Sequence, residues 1–166
     1  AIRGQGDSNP VYYLDLLPAF KKGDDDQTPW TPAINLAMGW SAALDALRDE
    51  SVEGRWARCA KMADGVRRLF TDAGFQLLAD AGQRSDTVTG ILYPDGVDDA
   101  WRTRLKEVHG TQVIGAQDDL KGKMFRVGSM GETPVEEMVE GCRRMLACFV
   151  EMGVDLPDLK VEEYFV

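Results

Sequence analysis

The sequence predicts an α+β domain, a small mixed or antiparallel sheet covered by helices on one face. Three observations predict it. Three stretches repeat apolar residues every three or four positions, and a fourth is apolar almost all round; both are helical patterns. Residues 124–130 alternate instead, with Phe125 and Val127 on one face and Met124, Arg126, Gly128 and Met130 on the other, which is the period of a strand. The order of elements is two helices, then strand, strand, helix, strand, strand, helix.

Composition sets the outer limits. A chain of 166 residues is one domain's worth and can bury a real core. A net charge of −9 with no basic run argues against a nucleic-acid partner. No apolar run approaches membrane-spanning length. Residues 1–10 lack the layout of a signal peptide, and the absence of an initiator Met reads as a processed or trimmed piece. Cys59, Cys142 and Cys148 are odd in number and show no metal-ligand spacing, which suits reduced, buried thiols in a cytoplasmic protein.

Residues 1–10 read as a loop rich in Gly, Ser and Asn. Residues 11–17 are apolar enough to pack on something, and Pro18 ends them. Lys21, Lys22, Gly23 and the run Asp24-Asp25-Asp26 form a solvated turn, because three successive carboxylates cannot all face one ion without a special loop. No metal site is expected. Thr28-Pro29-Trp30-Thr31-Pro32-Ala33 keeps Thr28 and Thr31 extended ahead of each Pro. Thr31 then caps a helix that runs to about Glu50. That helix carries Ile34, Leu36, Met38, Trp40, Leu44 and Leu47 with almost no polar face, so its surface needs a partner.

Ser51 caps the next helix, whose stripe is Val52, Trp56, Ala60, Ala63, Val66 and Phe70, and Gly74 stops it. Short strands are expected at residues 76–79 and 87–93, and Pro94-Asp95-Gly96 makes a turn. A third helix over residues 97–109 points Val97, Trp101, Leu105 and Val108 inward and stops at Gly110. Residues 111–115 form a strand that can pair antiparallel with the strand around Phe125. The strands flanking the third helix make a crossover unit. In the last helix, Thr133-Pro134-Val135-Glu136 reads as a capping box, followed by a stripe of Val135, Met138, Val139, Cys142, Met145, Leu146 and Phe149. Residues 156–166 show no period.

Arg126 is the anomaly of this pattern. A guanidinium in mid-strand among apolar residues is costly unless paired. Its planar fork suits a carboxylate gripped through two parallel hydrogen bonds, and Gly128 and Gly131 leave room for a ligand beside the backbone. A structural ion pair with one of the many acids is the other reading. Catalytic constellations are otherwise scarce. His109, the only histidine, stands at a helix C-terminus, where capping is its ordinary role.

Several motifs resemble one family. Thr28-Pro29-Trp30-Thr31-Pro32, opening a long apolar helix, is similar to the Thr-Pro-x-Thr-Pro segment of class V pyridoxal-phosphate aminotransferases. Lys121-Gly122-Lys123-Met124-Phe125-Arg126-Val127-Gly128-Ser129-Met130-Gly131 resembles their Lys-Gly-x-x-Phe-Arg-Ile-Gly-His-Met-Gly strand, with Ser129 in place of His. Ser85-Asp86-Thr87-Val88-Thr89 resembles the Ser-x-Thr-Val-Thr strand before it. Tyr12-Tyr13-Leu14-Asp15 resembles a segment that follows the cofactor lysine. The alanine–glyoxylate and serine–pyruvate branch is the most similar, over roughly residues 11–158.

The resemblance implies roles. Arg126 would grip the substrate α-carboxylate. Thr28, with Gln27 and Thr31, would reach the phosphate of pyridoxal 5'-phosphate in the neighbouring subunit of a homodimer; hydroxyls and N–H groups at a helix entrance suit an anion. The bland reading of Thr28 and Thr31 is that they only end the loop and cap the helix. The fold implied is the C-terminal small domain of fold-type I transferases, over residues 31–158. Residues 1–30 would lead in from a large domain, and residues 159–166 would be a tail. The substrates implied are a small amino acid and a 2-oxo acid.

The Schiff-base lysine of the family belongs to the large domain, and none of Lys21, Lys22, Lys61, Lys106, Lys121, Lys123 and Lys160 stands in its motif. The chain would then hold no catalytic residue and be inactive by itself, whether an expressed fragment, a proteolytic product or the product of a split gene. The alternative is a free-standing, non-enzymatic α+β module that binds a small carboxylate or a partner chain.

Overall fold

The computed structural model describes residues 15–166. The loop expected at residues 1–10, most of the apolar stretch at 11–17 and the motif residues Tyr12, Tyr13 and Leu14 lie outside the described residues. The chain divides into two compact units, Ala1–Asp49 and Glu50–Val166.

In the first unit, α1 (Leu17–Gly23) starts with Pro18 in its first turn, and the Asp15 carboxylate accepts from the Leu17 N–H at 3.0 Å. The acidic turn that follows closes through Gln27 N–H donating to the Lys22 carbonyl at 2.9 Å. Helix α2 (Ile34–Glu50) begins two residues later than Pro32 and buries none of its residues. Leu36 is 76% exposed and Trp40 69%, so the apolar surface expected to seek a partner is open.

In the second unit, α3 (Val52–Asp72) is capped as expected: the Ser51 hydroxyl accepts from the Gly54 N–H at 3.0 Å. Its apolar stripe needs correction. Val52 and Trp56 are exposed, and the buried residues are Cys59, Met62, Ala63, Gly65, Val66, Leu69 and Phe70. The first turns are instead held by polar groups, with Arg55 and Arg58 both paired to Glu50. Gly74, at φ +89°, ends the helix, and Phe75 N–H donates back to the Phe70 carbonyl at 2.8 Å.

The sheet has three strands in the order β1 (Val88–Leu92), β3 (Met124–Gly128), β2 (Ile114–Gly115), and both pairings are antiparallel. Of the mixed or antiparallel sheet expected, it is the antiparallel form. The crossover through α4 (Ala100–His109) leads from β1 to β2 with β3 lying between them. The strand expected at 76–79 is reduced to one bridge, Leu77 with Ile91, and that at 111–115 pairs over two residues only.

The face carrying Ile91, Phe125 and Val127 meets the helices. There Trp101 stacks on Phe149 with ring centroids 4.2 Å apart, and Phe125 lies 4.6 Å from Trp101. In α4, Trp101 and Leu105 are fully buried, but Val108 is 59% exposed. The inward line follows a spacing of four, so His109 turns in instead, 3.3 Å from Glu151. Helix α5 (Val135–Glu151) buries Met138, Cys142, Met145, Cys148 and Phe149. Its expected capping box is not made. Pro134 takes the cap position in an extended conformation with no side-chain cap bond, and the Thr133 carbonyl accepts from Arg58 at 3.2 Å.

The C-terminal residues, without period in the sequence, form a single turn at Val161–Tyr164 that seats Val161 and Phe165 in the core. Arg68 donates to the Tyr164 carbonyl at 2.6 Å, and the Tyr164 hydroxyl donates to Asp72 at 2.9 Å. No described helix is long and apolar enough to cross a membrane.

Candidate functional site

Arg126 stands in the central strand, opposite Gly90 on β1 and Ile114 on β2. Strand alternation puts it on the sheet face away from the helices. Its guanidinium is half-buried and donates from Nε at 3.1 Å and from Nη2 at 2.7 Å to one acceptor, the Gly115 carbonyl. Among the described residues it forms no ion pair with any acid.

A groove of about 910 Å³ opens beside it. Val88, Ile114 and Met130 are exposed apolar walls around the guanidinium, and Glu136 and Glu137 in the first turn of α5 stand at the rim. A cation with free N–H groups among apolar walls can bind a small carboxylate carrying a short apolar or polar substituent.

Behind the site lies a polar chain. The Tyr93 hydroxyl donates to Asp99 at 3.1 Å, and Arg102 Nε donates to the same carboxylate at 2.9 Å. The Arg102 guanidinium, with help from Tyr93, holds the Asp99 carboxyl below the usual range. Burial first, and then Asp99, pushes the Tyr93 phenol up, so it stays a donor. Gly115 is the contact point with the site: a Cβ built on it would lie 2.7 Å from Arg102 Cζ.

The loop after β3 has its own clamp. Arg58 donates to the Gly131 carbonyl at 2.7 Å, and Arg55 donates to the same oxygen at 3.1 Å. Met130 and Thr133, on this loop, line the groove. Ser129, where the motif has His, is fully buried, and its hydroxyl has no partner among the described residues.

Gln27, Thr28 and Thr31 belong to the first unit and Arg126 to the second, and the first three are exposed. The Thr28 hydroxyl donates to the Trp30 carbonyl at 2.7 Å. Thr31 does not cap α2; the helix entrance is a turn in which Ile34 N–H donates to the Pro32 carbonyl at 2.8 Å. Two hydroxyls and a carboxamide on an exposed loop are suitable phosphate donors once the Thr28 hydroxyl turns from Trp30.

No group of metal-ligating side chains occurs among the described residues. The three cysteines are free and buried, and burial pushes the Cys142 thiol up to about 12, which leaves it a poor nucleophile. Sequence reasoning missed Gly115, Arg102 and the Arg55–Arg58 clamp. Each acts through a backbone carbonyl or a contact between distant segments, and neither leaves a pattern in the sequence.

No protein-family profile matches the chain. Individual proteins do. An uncharacterized aminotransferase of Methanocaldococcus jannaschii is 34% identical over 161 residues, 95% of this chain and 42% of the relative. The serine–glyoxylate aminotransferase of Methylorubrum extorquens is 31% identical over 131 residues, 78% of this chain and 33% of the relative. Among solved structures, the alanine–glyoxylate aminotransferase of Nostoc sp. superposes with a TM-score of 0.77 at 29% identity, covering 84% of this chain and 38% of that one. The chain thus spans 42% of the Methanocaldococcus relative and a smaller share of the other two.

Proposed function

Because the chain belongs to the class V aminotransferases of fold type I, we propose that it serves as the C-terminal small domain of an enzyme moving an amino group between a small amino acid and a 2-oxo acid. In this reading residues 31–158 are that domain, residues 1–30 lead into it, and residues 159–166 are a tail whose Val161 and Phe165 pack into the core. The observation that carries the reading is Arg126, a cation with free N–H groups beside apolar walls and, among the described residues, with no acid paired to it.

Arg126 binds and orients the substrate carboxylate, and the walls of Val88, Ile114 and Met130 exclude water from it. Thr28, Gln27 and Thr31 would hold the phosphate of pyridoxal 5'-phosphate in the neighbouring subunit. That cofactor supplies the electron sink for the transfer when bound. No lysine of this chain stands in the cofactor-binding motif, so the chain alone does not transaminate. The complete enzyme is a cytoplasmic homodimer; the open apolar face of α2 and three free thiols support this.

Pyruvate titration of the isotope-labelled chain tests the reading. Signals of groove residues should shift, and Arg126→Lys should weaken binding by about tenfold, because an ammonium lacks the bidentate fork. Equal affinity in the variant would remove Arg126 from the site. Borohydride treatment with pyridoxal phosphate should leave no stoichiometric adduct by mass spectrometry.

A further inference from the structure

The geometry points to Asp99, Arg102 and Gly115 as positioning residues that fix which edge of the Arg126 guanidinium meets the substrate. This rests on the reading of Arg126 as the carboxylate-binding group. A guanidinium offers two forks. One is lateral, from Nε and Nη2; the other is terminal, from Nη1 and Nη2.

The Gly115 carbonyl takes the lateral fork whole, at 3.1 Å from Nε and 2.7 Å from Nη2. The terminal fork has no partner among the described residues. A carboxylate entering the groove therefore meets Arg126 end-on, and its plane is set by the guanidinium plane. A residue that turned the guanidinium would turn the substrate with it.

Gly115 can do this only if it stays in place, and it lies on a strand of two residues at the sheet edge. Two pairings to β3 are a weak hold. The Arg102 guanidinium supplies the rest. It fills the space where a side chain at 115 would stand, with Cζ 2.7 Å and Nη2 2.8 Å from the Cβ position. Arg102 is itself fixed by Asp99 at 2.9 Å, and Asp99 by the Tyr93 hydroxyl at 3.1 Å. Glycine at 115 thus admits the buttress, and the buttress holds the carbonyl.

The test reads hydrogen exchange at the Arg126 Nε–H in the labelled chain without ligand, and pyruvate affinity separately. Arg102→Ala should speed Nε–H exchange about tenfold and weaken pyruvate about fivefold, since a lost hydrogen bond opens the group to water. In Gly115→Ala with Arg102→Ala the methyl partly refills the space, and both readouts should return to within about twofold of the wild type. Should Arg102→Ala fail to fold, Asp99→Asn frees the guanidinium without opening a space and should also speed exchange. Unchanged exchange in a folded Arg102→Ala or Asp99→Asn chain overturns the positioning role. Altered exchange in a chain that binds no pyruvate leaves the positioning role standing and removes the carboxylate reading of Arg126.

Discussion

Glu50 is the most heavily engaged acid of the second unit. Arg58 binds it through Nε at 2.6 Å and Nη2 at 3.2 Å, and Arg55 Nε donates to its second oxygen. The hydrogen bond from Arg58, and then that from Arg55, lowers its pKa from 4.5 to about 2. A carboxylate depressed in this way stabilises the fold fully above its unfolded pKa. The contribution is lost as pH falls from about 4.5 through about 2. Urea midpoints of the wild type and Glu50→Gln should therefore differ near neutrality and converge at the bottom of that window. A gap of constant size down to acid pH would show that the charge is not the source. The two arginines also grip the Gly131 carbonyl, so the same protonation should loosen the loop carrying Met130. Arg126 itself was legible, because a lone charge in an alternating apolar strand stands out in one dimension. Gly115 was not, since its contribution is a carbonyl that every residue has.

Helix α3 shows how an element is set by what it packs against. Its middle and end are buried as the apolar spacing requires, while Val52 and Trp56 satisfy the same spacing and remain exposed. Periodicity names a face of a helix; only the reach of the sheet beneath decides where that face is covered. The stops at Gly74 and Gly110 were readable because each needs a positive φ, a local demand that glycine meets. The C-terminal turn was not readable, since its core residues Val161 and Phe165 belong to no repeat in the sequence. Gly65 records that contact from the helix side: a Cβ there would lie 2.7 Å from both the Phe165 ring and the Tyr164 carbonyl. Gly65→Ala should cost about 1–3 kcal/mol in chemical denaturation by lifting the turn off α3. A stability within error of the wild type would show that the turn is loosely held.

At the scale of the whole molecule, the apolar face of α2 sets behaviour in solution. Leu36, Met38 and Trp40 are each more than half exposed, more than a soluble helix leaves open without use. Light scattering over a range of concentrations should show growing particle mass, and Leu36→Glu with Trp40→Glu should suppress it. A strictly monomeric wild type would assign that face no role in self-association. The strand order carries a different consequence. The central strand of the sheet is the last to be made, so a chain emerging from the ribosome holds β1 and β2 without the strand that joins them. Until Met124–Gly128 leaves the exit tunnel, the nascent molecule has two strands without their shared neighbour and a row of waiting apolar rings, and the emergence of residue 128 is the earliest moment at which this sheet can close.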